Sequence, residues 1–418
     1  MRITHLLVVL APSLLCACIG GNKGTATNTV PPTPTVNTLA VVVDAGPVAA
    51  GGAINRLYVT VKVCVPGSTT CANVDHVLLD TGSWGLRLVR SVLTASGVTL
   101  APSTDAQSQT IEECATFAGG QTWGPVALAD VTLAGEVASK VPVQVLDDTN
   151  TGASPPATCS NNGSVHNQVT DLLANGILGV GVFAQDCGAA CVSPAPAANS
   201  NYYGCSAAGV CTAENIALAN QVTNPVALFA ADNNGVIVNL PNLQNANGDA
   251  TVAGEVIFGL GTQTDNALPT MGLTVLGADP TTGDFNTTFN GGTTALAALI
   301  DSGTDDYAFA DTDPNMASCT ATPPNNAAWV GYYCPIVAPQ SLSAVNTGVG
   351  ANNATNTVQF AIADPNSFVS TATAFINLGG GQGSTRFTWG MPFFYGRKIY
   401  IGIDKAMVGT LQGPFYAY

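Results

Sequence analysis

Two short segments carry residue types and spacing suited to acid–base chemistry. Asp80-Thr81-Gly82-Ser83 and Asp301-Ser302-Gly303-Thr304 each place a carboxylate, a hydroxyl, a glycine and a second hydroxyl in the same order. Three apolar residues precede each copy, Val77-Leu78-Leu79 and Ala298-Leu299-Ile300, so each Asp is expected to end a buried strand. Gly82 and Gly303 permit a tight turn that brings backbone N–H groups back to the carboxylate. The Thr81 and Ser302 hydroxyls could bond across to the opposite turn, while those of Ser83 and Thr304 lie beside the carboxylates. If two such turns meet face to face, Asp80 and Asp301 share one proton, because two like charges so close do not both ionise cheaply. The charged carboxylate would take a proton from a water molecule, and the neutral one would polarise a substrate carbonyl. This is general acid–base hydrolysis without a covalent intermediate.

Positioning two such turns calls for two similar strand-rich halves. The copies lie 221 residues apart, which suggests a fused pair of related lobes. A second landmark follows each at a similar distance: Ile177-Leu178-Gly179 after the first and Thr388-Trp389-Gly390 after the second. Tyr58 to Val63 alternates, with Val59, Val61 and Val63 on one face. Short apolar runs separated by Gly (45 in all) and Pro (25) favour strands and turns over long helices, hence an all-β fold. The chain is divided as an N-terminal lobe over 39–232 and a C-terminal lobe over 233–418, with most of 151–212 expected to be a disulfide-stapled loop. Asp305-Asp306 and Asp311-Thr312-Asp313 are expected to be solvated turns.

Composition narrows the partners. With 11 Lys+Arg against 26 Asp+Glu, the net charge is −15 and no basic patch occurs, so nucleic acid is excluded as a partner. Met1-Arg2 followed by the apolar run Leu6–Leu15 is too short to span a bilayer and fits a signal peptide over 1–17. Its end, Leu15-Cys16-Ala17-Cys18, resembles the lipobox of bacterial lipoproteins. That resemblance implies a lipid on Cys18, which would anchor an exported protein to a membrane of the cell envelope. Residues 18–38, rich in Thr and Pro, are expected to be a tether. The ten further cysteines are even in number and suit disulfides, with Cys64 paired to Cys71 and Cys319 to Cys334. The pairing within Cys187, Cys191, Cys205 and Cys211 is open. His76 and His166 are the histidines beyond the leader and no Cys-x-x-Cys occurs, so no metal or other cofactor is expected.

The two Asp segments resemble the paired active-site motifs of pepsin-like aspartic peptidases. Further segments extend the resemblance in order along residues 40 to 410. Asn175-Gly176-Ile177-Leu178-Gly179-Val180-Gly181 is similar to that family's Asp-Gly-Ile-Leu-Gly-Leu-Gly stretch, and Gly235–Leu240 with Glu255–Gly259 to its inter-lobe hairpin. Trp389–Asp404 resembles its closing segment. The resemblance implies a two-lobed fold with a cleft between the lobes, Asp80 and Asp301 as the catalytic pair, and Thr81, Gly82, Ser83, Ser302, Gly303 and Thr304 as the supporting turns. It also implies a substrate-covering flap at 115–124, with Phe117, Gly119, Gly120 and Trp123. The implied activity is that of a monomeric aspartic endopeptidase acting on polypeptides. Three positions depart from the family pattern: Phe117 stands in place of a Tyr, Arg87 in place of a Trp, and Met391 in place of an Asp. These departures favour the alternative of a silent cleft that binds a protein ligand without cleaving it.

Overall fold

Val59, Val61 and Val63 do alternate inward, on a strand spanning Leu57–Cys64 whose Thr60 and Lys62 face solvent. In the computed structural model, which describes residues 37–418 apart from 161–163, 196, 270, 322–326, 382 and 384, this pattern is general. Strand accounts for 42% of the residues and helix for 10%, so the fold is all-β as expected. The leader, Cys18 and nearly all of the 18–38 tether lie outside the described residues.

Two sheets carry the structure. The larger has fifteen strands and the smaller seven. The smaller is built wholly from residues between Phe285 and Trp389. Its interior is aromatic: Phe309 stacks on Phe387 at 5.2 Å, and Phe360 and Trp389 pack around them. The Trp389 indole N–H reaches Thr287 Oγ1 and Asn346 Oδ1 at 3.1 Å, which satisfies the polar edge of a buried ring.

The larger sheet draws strands from both halves of the chain. Thr38–Val43 pairs antiparallel with Val252–Phe258 and touches Leu57–Cys64 through Val42 and Val43. Gly235–Asn239 pairs with Val252–Phe258 and with Lys398–Gly402, so the expected hairpin and closing segment lie side by side. The halves are therefore joined by continuous backbone hydrogen bonding.

Both landmark segments serve the Asp turns in the same way. Gly176–Val180 pairs parallel with the end of Cys71–Asp80, setting Gly179 opposite Asp80, and antiparallel with Trp84–Val89, which leaves the turn. Arg386–Trp389 likewise pairs parallel with Ala295–Ile300 and antiparallel with Tyr307–Phe309. Each Asp turn thus sits between two strands locked to one common strand.

Among the described residues five disulfides are formed, including the two expected close pairs. The cluster resolves as Cys187–Cys191 and Cys205–Cys211, and Cys114 reaches Cys159. Within 151–212, which these disulfides staple, Tyr202–Cys205 is a strand paired to Thr110–Glu113. Its residues satisfy the outer edge of that strand, which would otherwise be left open.

Candidate active site

The two Asp turns interlock. The Thr81 N–H donates to Ser302 Oγ at 3.1 Å, and the Ser302 N–H donates to Thr81 Oγ1 at 3.0 Å. Each hydroxyl passes its own proton to the strand beyond: Thr81 to Ile300 O at 2.9 Å and Ser302 to Leu79 O at 2.6 Å. Both residues are almost fully buried, so four hydrogen bonds shielded from water fix the two halves in register.

Around each carboxylate the pattern repeats. Gly82 N–H donates to Asp80 Oδ1 at 2.8 Å and Ser83 Oγ to Asp80 Oδ2 at 2.6 Å. Gly303 N–H and Thr304 Oγ1 do the same for Asp301 at 2.7 Å each. The glycines are required by proximity. A Cβ on Gly82 would lie 2.5 Å from Asp301 Cγ, and one on Gly303 would lie 2.6 Å from Asp80 Oδ1. Each carboxyl therefore rests over the opposite turn, which sets the two carboxyls side by side. Burial first, and the Asp301 charge second, push the Asp80 carboxyl up to about 7. The pair consequently holds one proton through the mildly acid range.

The carboxyls form the floor of a cleft of about 910 Å³. The segment read as a flap, 115–124, lies on a hairpin at one side of this cleft. Thr110–Phe117 and Gly120–Leu133 form a hairpin with Phe117 opposite Gly120 and Ala118-Gly119 at the tip. Phe117, Gly119 and Gly120 line the cleft. Trp123 belongs to the hairpin but points away: its indole N–H donates to Ala153 O at 2.6 Å, and its ring meets Tyr203 edge-on. The ring that does line the cleft near Asp80 is Trp84, packed edge-on against Phe183.

Asp305 and Asp306 are not a solvated turn. Both line the cleft, and Asp305 Oδ2 accepts the Tyr332 O–H at 2.7 Å. Asp306 is buried, because the strand Tyr307–Phe309 begins immediately after it and pairs with Gly379–Gly381. A Cβ on Gly380 would stand 2.0 Å from Asp306 Oδ2, so only glycine lets that strand cover the carboxyl. Burial, then the neighbouring Asp305, push Asp306 up to about 8. It is therefore neutral in the acid range and adds no charge there. Met391, also buried, lies behind this turn with its N–H on Thr304 O.

Several cleft residues carry no local sequence signal. Arg56 donates from Nη1 to Gly303 O at 2.7 Å, and Asn55 donates to Asp305 O at 2.7 Å and to Phe375 O at 2.8 Å. They brace the second turn from 247 and 250 residues away. Arg87 is buried beneath the flap, bonded to Glu113 and Asp186. His76 is held by Asp75 and Asp44, away from the cleft, whereas His166 lies on the cleft wall beside Gly120.

Fold and site together define the class: a two-lobed, all-β protein with the fold of the pepsin-like aspartic proteinases. The aspartic proteinase from Irpex lacteus is similar in structure, with a TM-score of 0.50 over 91% of this chain and 96% of that one. The two are 14% identical, so the likeness concerns the fold. The family model described as "Protein of unknown function (DUF3443)" matches residues 33–418, and the chain belongs to that family. Comparison with curated protein sequences found no match.

Proposed function

We propose that the protein is an aspartic endopeptidase of the bacterial cell envelope, hydrolysing peptide bonds with water activated between Asp80 and Asp301. The observation that carries this is the contact between the two carboxyls, each with one Gly N–H and one hydroxyl, at the floor of an open cleft. The protonated carboxyl of the pair polarises the scissile carbonyl, while the charged one takes a proton from water. No cofactor enters the reaction. The substrate is an extended polypeptide lying between the floor and the flap. The protein acts as a monomer, exported and held to a membrane by a lipid on Cys18.

Hydrolysis of an unstructured protein such as casein, measured between about pH 3 and pH 8, tests the chemistry. The rate should be bell-shaped on the acid side, with the upper limb near 7, where Asp80 loses its proton. Asp80→Asn and Asp301→Asn should each abolish hydrolysis with the fold intact, since the amide nearly matches the carboxyl in shape. Hydrolysis surviving in one mutant would remove that Asp from the mechanism. A folded wild type that hydrolyses nothing and binds no pepstatin-type inhibitor would point instead to a cleft that holds a protein without cleaving it. The anchor is tested separately: Cys18→Ala should move the protein from the membrane to the soluble fraction, and unchanged partitioning would sink the lipid claim.

A further inference from the structure

We propose that Arg87 is a positioning residue for the flap, pinning Phe117 over the cleft through a contact between its buried cation and the ring. The inference rests on the hydrolytic function insofar as the flap is taken to cover a substrate. Arg87 lies on Trp84–Val89, the strand that leaves the first Asp turn, and its side chain is only 2% exposed. Both terminal nitrogens of its guanidinium are engaged, while the buried Nε makes no hydrogen bond. Nη1 donates to Trp84 O at 2.8 Å, and Nη2 donates to Glu113 Oε1 at 2.6 Å and to Asp186 Oδ2 at 3.2 Å. Glu113 belongs to the first strand of the flap, so this ion pair ties the flap base directly to the Asp80 turn. Asp186 is held in turn by the Tyr202 O–H at 2.5 Å, and Tyr202 lies on the strand that pairs with the flap's outer edge.

With its terminal nitrogens held, the cation lies over the ring of Phe117, with Cζ 5.3 Å from the ring centroid. A buried guanidinium in contact with an aromatic face is worth more than the exposed version, because water does not compete for the cation. The ring needs no hydroxyl for this contact, which gives Phe117 a role at a position that lines the cleft just before the hairpin tip. A purely structural ion cluster would need no ring there. Lysine would not substitute: it lacks the planar group that reaches Trp84 O through Nη1 while Nη2 holds Glu113 and Asp186.

The test reads the flap with and without substrate. Phe117→Leu keeps an apolar side chain and leaves the ion cluster whole. In the substrate-free protein its amides at the hairpin tip should exchange hydrogen about tenfold faster than in wild type, the size expected for a lost buried cation–ring contact. With a peptide substrate, KM should rise by a similar factor while kcat changes little. Phe117→Trp keeps a ring and should restore both values. Arg87→Lys should loosen the tip at least as much as Phe117→Leu; should it fail to fold, the two Phe117 variants decide alone. Wild-type exchange rates in Phe117→Leu, or equal loosening in Phe117→Trp, would overturn the pin. If wild type hydrolyses no peptide, the proposed activity fails on its own and the exchange rates still decide the role of Arg87.

Discussion

At the scale of single residues, the site is governed by how closely two carboxyls approach across a pair of glycines. Gly82 and Gly303 are required less for unusual dihedrals than for absent side chains, since any Cβ would occupy the space of the opposing Asp. Gly82→Ala should therefore act mainly on the chemistry. It should push the Asp301 carboxyl off the pair, abolish hydrolysis and cost about 1–3 kcal/mol of stability through overpacking. Activity assays alongside urea unfolding check this; an active Gly82→Ala protein would mean the turn is looser than its geometry implies. These turns are legible in the sequence because everything they need is local: three apolar residues, the Asp, a hydroxyl and a glycine. Asp306 is not, because what buries it is distant. Its neighbours Thr304 and Asp305 suit a turn, but its burial is set by Gly380, which lies far along the chain and shows only as one glycine in a run.

At the scale of elements, the flap is the part that sequence describes least completely. The hairpin and its glycine tip follow from the local pattern, but its support does not. Tyr202–Cys205 lies in a stretch dense in Cys, Pro, Asn and Gly, composition that favours loops, and becomes a strand because Thr110–Glu113 on one side and Cys211–Ala213 on the other pair with it. The disulfide Cys114–Cys159 ties the same flap strand to the inserted segment across 45 residues. The flap base is thus held by sheet pairing, a covalent bridge and the Arg87 ion pair, while Ala118 and Gly119 at the tip stay exposed. Replacing both cysteines with Ala should lower stability by about 2–4 kcal/mol through the freer unfolded chain. Amide exchange should rise along 110–117 and the inserted segment, with the Asp turns still protected. Uniform loosening that includes Leu79 and Ile300 would show the bridge to be part of the general core, not a brace on the flap.

At the scale of the whole molecule, scarcity of cations decides how acidic groups are buried. With 11 Lys+Arg against 26 Asp+Glu, there are too few partners for every buried carboxyl to be neutralised by a base. Protons take that role. Beyond Asp80 with Asp301, carboxyl meets carboxyl at Glu113 with Asp186, Glu214 with Asp105, and Glu136 with Asp232. Glu113 Oε2 and Glu214 Oε1 are buried and receive no N–H or O–H, and burial raises both carboxyls, which favours their protonated forms. Burial pushes Glu214 up to about 7 and Glu112 up to about 8, joining Asp80 at about 7 and Asp306 at about 8. The sign follows from linkage. A carboxyl held above its unfolded value binds its proton more tightly when folded. Its contribution is complete below the unfolded value near 4 and is lost as pH rises through 7 to 8. Asp147 runs the other way. Burial pushes it up, but the Gly152 N–H, Arg90 and further hydrogen bonds outweigh this and hold it below its ordinary value, so its contribution fades only in stronger acid. A tenfold gain in proton affinity on folding is worth about 1.4 kcal/mol for a buried group, so Asp80 and Asp306 alone make the protein several kcal/mol more stable at pH 5 than at pH 8. Thermal unfolding should show Tm highest near pH 4–5 and lower by more than about 5 °C at pH 8. Repulsion among surface charges acts in the same direction but is screened by salt, whereas buried pairs are screened much less. The fall in Tm should therefore persist in about 0.5 M NaCl. A Tm that is level from pH 5 to pH 8, or a decline that salt removes, would show that the buried carboxyls do not depend on bound protons.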